Sequence, residues 1–449
     1  MDGAGAAPTR RVSLAHLALV APWLLLVIGS FRPIRDNSFL WHVAAGREQE
    51  ALGSVLTADP FSFTMRAEPW RTQSWLADLL YAWIEDVAGL TGFGWMLLVV
   101  GALTFAALGI IAWKFSRNLL TTAAMTLLSV PLLAPVLVPR PVVFTLPLFA
   151  LVVLVWEDHR LRWLLPFPMW LWAAIHGSFF LGLVYVGARV LARREWRSWP
   201  VPVVAAAATL ATAHGLGIVQ IVVEFLTARP HLAHISEWRP PEFLTPPLLP
   251  FVVGLVLLLI GAIRGRLAMG DLWVVVPFLV LALSATRAVA PAWIALAPVL
   301  AASASWNRDR FGHGFPIPVA AMVLVLILVG PFLYTGSVQV DPDRFPIAAS
   351  AHLRPELRTF HDDVAGGYFI YDSTLEDGVF IDDRVELFMD RIDEFIDIRA
   401  GRDVWRDVFR RDGIEQALVA IDEPIRLFLE ADGWRTYYRD SRYAVMRPG

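Results

Sequence analysis

The chain has 449 residues, of which 57% are hydrophobic and only 18% charged, with a net charge of −3; this composition lies well to the apolar side of a soluble domain and marks a polytopic membrane protein. Cysteine is absent, which excludes disulfides and thiolate metal sites. From Gly336 onward there are 24 acidic and 15 basic residues, against 17 and 23 before it, and an acidic tail with no basic stripe argues against a nucleic-acid partner.

Apolar runs of about 15–20 residues read as bilayer crossings, and about eleven fit between Ser13 and Tyr334. Every second junction carries a tight basic pair: Arg10/Arg11, Lys114/Arg117, Arg160/Arg162, Arg193/Arg194, Arg264/Arg266 and Arg308/Arg310. The positive-inside rule makes these the cytoplasmic ends, in a plasma membrane, with a cytoplasmic N-terminus. The other junctions carry Asp36, His42, Asp59, Arg140, His176, His214, Glu237, Trp238 and Arg287. These groups therefore share one compartment outside the cytoplasm, where chemistry or recognition is expected.

The first run, 13–31, lacks a small-residue cleavage site after it and reads as a retained helix. A long outer loop follows, 32–74, with a short helix over 39–52 and an extended piece around Phe61 to Thr64. Residues 75–87 have helical apolar spacing with Asp78, Glu85 and Asp86 opposite, predicting an interfacial amphipathic helix. Spans follow at 94–113, 119–138 and 142–156. The stretch 163–191 has basic clusters at both ends, which predicts a hairpin whose tip is His176-Gly177-Ser178. Irregular backbone at membrane depth is tolerated where it lines a wet cavity, so that tip is a candidate pocket wall.

Further spans are expected at 200–213, 248–263, 271–286, 290–304 and 316–334, with an outer segment, 216–247, between the first two. The tail alternates strand-like runs (GGYFIYDS, GVFIDD, EQALVAID, RTYY, YAVMR) with helices near 386–411 and 423–432, predicting a small α/β domain outside the cytoplasm. The expected division is a transmembrane domain, 1–335, and a soluble domain, 336–449. No GxGxxG or P-loop spacing occurs.

Several residues could carry chemistry. A carboxylate held against apolar surface, as Asp36 would be, suits general-base work, although it could equally cap the next helix. Asp59 precedes Pro60 and reads first as a turn former; with a second loop carboxylate it could instead hold a divalent cation beside a phosphate. His176 and His214 each precede glycine at membrane depth, where ionisable groups are costly. Two histidines and a carboxylate could be a zinc site, but no spacing requires it. Arg140 and Arg287 stand alone on the side where arginine is disfavoured; each fits either a phosphate or a salt bridge to Asp36, Asp59 or Glu237. Glu237 and Trp238 lie at the outer interface, and Asp382-Asp383-Arg384 reads as a solvated surface turn.

The segments DNSFLWHVAAGR, ADPFSFT, EPWRTQSWLADLLY, LWAAIHGSFFLGL, HGLG, ISEWRPPEF and SATRAVAPAWIALAP occur in that order. In this the chain resembles a bacterial family of membrane proteins related to the GT-C glycosyltransferases, polytopic enzymes that use polyprenyl-phosphate-linked sugars. The family's first loop reads D-x-D-x-W-W-H, then D-P-F-S and P-W…W-L; W-x-N-x-H-G, N-P-x-G, I-x-E-W and a late arginine follow. The tail is similar to its outer domain, with G-G-Y and F-I-D-x-R patterns. The resemblance implies a GT-C-like fold, Asp36 as catalytic base, and patterned positions at His42, Asp59, His176, Glu237 and Arg287. The chain departs from the pattern at Ser38 and Ala174, in place of aspartate and asparagine, and at Ala213-His214-Gly215-Leu216.

The implied reaction moves a sugar from a polyprenyl-phosphate donor in the membrane lipid to a glycan, lipid or protein acceptor. Arg287 or Arg140 would bind the phosphate, and His42 or Glu237 would orient the acceptor. Two rival readings keep the fold without catalysis: a lipid-sugar binding or transport-assisting protein, and a membrane anchor for an acidic interaction domain.

Overall fold

The computed structural model describes residues 14–227, 236–304 and 337–449. The basic pairs Arg10/Arg11 and Arg308/Arg310 and the expected span at 316–334 lie outside the described residues.

The chain opens with α1 (Leu14–Ser30), α2 (Ser38–Leu52) and α3 (Trp75–Ser116). Next come α4 (Leu119–Leu133), α5 (Thr145–Trp156), α6 (Pro166–Ile175), α7 (Phe180–Arg193), α8 (Pro200–Thr209) and α9 (Gly217–Thr227). The helical part closes with α10 (Leu249–Ile263), α11 (Leu272–Ser284) and α12 (Val289–Ser303). Among the described residues three helices are long and apolar enough to cross a membrane: Trp75–Ser116, Leu119–Val136 and Thr286–Ser303. Ala18–Ser30, Pro141–Trp156, Leu249–Ile263 and Met269–Ser284 are shorter apolar helices.

α12 is the axis of the bundle, buried along nearly its whole length and packed by α3, α4, α5, α10 and α11. Its Trp293 donates from Nε1 to Ser129 Oγ of α4 at 2.8 Å, satisfying the indole inside the core. Around that core Leu103, Ile110, Leu259, Ile263, Val276 and Val280 point outward and exposed, the pattern of a bundle whose solvent is lipid.

The amphipathic segment and the span expected at 94–113 are one element, kinked at Gly89, whose φ of +57° is open to glycine and strained for other residues. The polar face expected for this segment is corrected at Asp78, which is fully buried. It faces α2 rather than solvent, because Gly46 lets α2 lie directly on α3: a Cβ there would meet Asp78 O at 2.1 Å. The hairpin at 163–191 is present as α6 and α7. They part at His176, which is extended (φ −158°, ψ 139°), and Gly182 of α7 folds back onto Met169 and Trp172 of α6.

The tail forms a four-stranded sheet in the order β1-β2-β4-β3, with β1 (Thr359–Phe360), β2 (Gln416–Ala420), β3 (Trp434–Arg439) and β4 (Tyr443–Pro448). β1 runs parallel to β2 and the other pairs are antiparallel. Two expectations are corrected. GGYFIYDS is not a strand but lies in a helix, α14 (Asp363–Asp372), which follows the short α13 (Ile347–Ser350). Asp362 starts α14 by accepting from Ala365 N at 2.7 Å. Its glycines serve close approach: a Cβ on Gly366 would meet Ile381 O at 1.9 Å, and one on Gly367 would meet Asn37 O at 2.9 Å. GVFIDD likewise joins no sheet, and pairs by one bridge with the first loop, Ser62 to Val379. The charged helix near 386–411 is three pieces, Val385–Phe388, Ile392–Arg399 and Val404–Asp412.

The tail is fastened to that first loop along its length. Ile34 N donates to Gln339 O and Asp341 N to Ile34 O, both at 2.9 Å; Val379 N donates to Phe61 O at 3.0 Å and Phe63 N to Val379 O at 3.1 Å. The loop 32–74 is thus enclosed between the helix bundle and the C-terminal domain.

Candidate active site

A cavity of about 120 Å³ opens where the bundle, the first loop and the C-terminal domain meet. Its walls include Ser38, Trp41, His42, Arg140, His176, Glu237, Arg287 and Asp383. Of the nine residues singled out from the sequence, five line it directly: His42, Arg140, His176, Glu237 and Arg287.

Asp36 sits just behind this wall. Its Oδ2 lies 2.5 Å from Arg140 Nε, and its Oδ1 accepts from Ser38 N at 3.0 Å. Burial raises its pKa above the ordinary carboxylate value, and the adjacent Arg140 cation only partly offsets that. Arg140 also reaches Glu237, Nη1 to Oε1 at 3.1 Å, so the salt-bridge alternative for this arginine is realised twice. Arg287 lies with its guanidinium 4.4 Å from the Trp238 ring centre, a cation–π contact that explains the neighbouring tryptophan without a place for it on the cavity wall.

His42 is oriented from below. Its Nδ1 stands 2.5 Å from the buried Asp78 Oδ1, whose other oxygen accepts from Thr72 Oγ1 at 2.5 Å and Gln49 Nε2 at 3.4 Å. A proton on Nδ1 leaves Nε2 as the acceptor available to the cavity. His176 is held the other way: its Nδ1 accepts from Ser178 N at 3.1 Å, so the neutral ring carries its proton on Nε2. Gly177 beside it lies directly against the Gln73 side-chain amide. His214 does not join them. Its Nε2 donates to Thr72 O at 2.8 Å, and it braces the loop outside the cavity.

Asp59 is a structural residue here. It accepts from Phe61 N and Ser62 N at 3.1 and 3.0 Å and from Arg384 Nη1 at 2.6 Å. Arg384 is closed from its other side by Asp382, Nε to Oδ1 at 2.8 Å and Nη2 to Oδ2 at 2.6 Å, with Trp70 stacked 4.6 Å away. The surface turn expected at 382–384 is therefore corrected: Asp382 and Arg384 are buried, because Arg384, held by Asp382, takes Asp59 and Trp70 of the first loop as its other partners. Between them Asp383 points into the cavity. It receives the Ser38 hydroxyl on Oδ2 and the Trp41 indole N–H on Oδ1 at 2.7 Å. Sequence reasoning missed Asp78 and Asp383; the DDR triplet was the only signal for the latter.

The two loop carboxylates that might have shared a cation are spent on separate arginines, and among the described residues no group of three or more His, Asp or Glu is placed to hold a metal ion.

No protein-family model matches the sequence, and no curated protein matches it. The chain is similar in structure to ArnT from Cupriavidus metallidurans, in its apo crystal form, with a TM-score of 0.56 at 14% identity. The match covers 96% of this chain and 97% of that one. The chain has the GT-C-like fold, a mostly helical membrane protein with a small C-terminal sheet domain.

Proposed function

We propose that the protein is an integral membrane glycosyltransferase that moves a sugar from a polyprenyl-phosphate donor to an envelope acceptor on the outer face of the membrane. The observation that carries this reading is the pairing, around one cavity of a GT-C-like fold, of two arginines with an adjoining carboxylate: Arg140 and Arg287 line it, and Asp36 touches Arg140.

Arginine forks bind phosphate oxygens bidentately and stabilise the charge that develops on a phosphate leaving group. Arg140 is held by Asp36 and Glu237 in the described state. When it turns to the donor phosphate, Asp36 loses its counter-ion and becomes the base. Asp36 then takes the proton of the acceptor hydroxyl while that oxygen bonds to the anomeric carbon. The bond from that carbon to the phosphate oxygen breaks, configuration inverts, and polyprenyl phosphate leaves with the electron pair. His42, fixed by Asp78, and Glu237 orient the acceptor. The donor's chain lies in lipid, so the helices need supply only an apolar flank.

A non-catalytic lipid-sugar binding role draws on the same ion pair, which occupies Asp36. One experiment separates them: mass-spectrometric profiling of envelope glycans and glycolipids from a deletion strain, complemented with wild type or Asp36→Asn at matched expression. General-base loss predicts a product reduced about 100- to 10,000-fold with Asn. Equal restoration by both genes removes Asp36 as base, and an unchanged profile on deletion removes the transferase reading.

A further inference from the structure

Resting on that reading, we propose that Asp383, carried by the C-terminal domain, is a substrate-contacting carboxylate of the transfer site that accepts a hydrogen bond from a sugar hydroxyl. The domain is then one wall of the active site rather than an appended acceptor module.

The geometry separates Asp383 from its neighbours. Asp382 and Arg384 are buried and spent on each other and on Asp59, which ties the domain to the first loop. Asp383, between them, has no arginine within ion-pair distance among the described residues; it lines the cavity, half-buried, with one protein donor on each oxygen. An ionised carboxylate has about four acceptor positions, so each oxygen keeps capacity for a ligand hydroxyl. The two protein donors fix its plane, as a preorganised acceptor requires. Of the cavity's arginines, Arg384 is closed by Asp59 and Asp382, while Arg140 and Arg287 come from the helical part; Asp383 and Glu386 come from the C-terminal domain. A phosphate joined to a polyhydroxylated ring needs both kinds of partner.

Ser38 sharpens the point. It is the first-loop residue whose hydroxyl Asp383 receives, so a carboxylate at position 38 would stand beside the same place. Burial also lifts the Asp383 acid up to about 7, against the lowering pull of Arg140. Its charge, and with it hydroxyl binding, is gained as pH rises through neutrality.

The test uses full-length protein. Asp383→Asn keeps an acceptor for Trp41 N–H and a polar partner for Ser38, so a purely structural clamp survives it. The proposal expects the product named by the deletion-strain profile to fall about 10- to 100-fold. It also expects the rise in activity across neutral pH to vanish, and Ser38→Asp in the Asn background to restore both. Binding of undecaprenyl phosphate to the protein in nanodiscs, read by native mass spectrometry, should be unchanged, since that probe has no sugar. Release of free sugar from the lipid donor without acceptor falls if the bound hydroxyl is the donor's and holds if it is the acceptor's. Wild-type product level and pH profile in Asp383→Asn, or no rescue by the Ser38→Asp pair, would overturn the assignment. If wild type itself neither makes product nor binds undecaprenyl phosphate, it is the transferase reading that falls.

Discussion

The bundle carries an ionic cluster at each end, and the two are built on opposite rules. At the end away from the C-terminal domain, Glu157 receives Tyr185 Oη at 2.9 Å, Arg189 Nε at 2.6 Å and Arg193 Nη2 at 2.5 Å, and Arg189 also reaches Asp271 at 3.2 Å. Burial pushes the Glu157 acid up, but its arginines outweigh that and hold it below the usual carboxylate range. At the other end Asp36 and Asp383 both lie above that range, because burial outweighs one shared cation, Arg140. Charges that are saturated by partners hold a structure together; charges left under-compensated beside a cavity are poised to exchange a proton or a ligand.

Breaking the saturated cluster should therefore cost the most. Glu157→Ala leaves Arg189 and Arg193 facing a low-dielectric interior without their shared anion, and loss of one partner of a buried pair costs about 3–5 kcal/mol. The expected outcome is a large drop in the thermal midpoint of the purified protein, with the transfer rate per folded molecule unchanged. Asp36→Asn should give the inverse result, transfer lost and midpoint kept. A stable Glu157→Ala protein would end the contrast.

Arg287 sharpens the cavity end by a smaller step. Arg287→Gln keeps a polar, hydrogen-bonding side chain near Trp238, shortens it and removes the charge. Loss of one charge-assisted phosphate contact predicts undecaprenyl phosphate affinity weaker by about tenfold or somewhat more. Native mass spectrometry of the nanodisc complex measures it, and equal affinity would leave the phosphate to Arg140 alone.

The same contrast decides what could be read from the sequence. Elements and their order were legible because apolar run length and the spacing of basic pairs are local signals; even the break at His176 followed from basic clusters at both ends of one run. Partners were not. Arg384 and Asp59 are 325 residues apart, and nothing local distinguishes a buried Asp-Asp-Arg from a surface turn. Asp78 was misplaced for a related reason: helical periodicity assigned it to a polar face, while Gly46, 32 positions earlier, brings a second helix onto that face. The glycine pair in GGYFIYDS was read among strand formers by propensity, although the pair is there so that α14 can press on Asn37 and Ile381.

The two His-Gly pairs make the finest test, since the sequence treats them alike and the structure does not. His176 lines the cavity, caps the turn into α7 through Ser178 N and sits beside a glycine packed against the Gln73 side chain. His214 lies outside the cavity, half-buried, with a single bond to the Thr72 carbonyl, and a Cβ at its Gly215 would meet nothing within 4 Å. That glycine serves only its left-handed backbone, φ +53°. Removing one such neutral hydrogen bond costs about 1 kcal/mol net. His214→Ala should thus lower the thermal midpoint slightly and leave transfer within about twofold, as expected of a site away from the chemistry. His176→Ala should depress transfer well beyond its effect on the midpoint. Equal losses of transfer in the two variants would mean that the Thr72 segment, which His214 braces and which also lines the cavity, positions the substrate as firmly as His176 does.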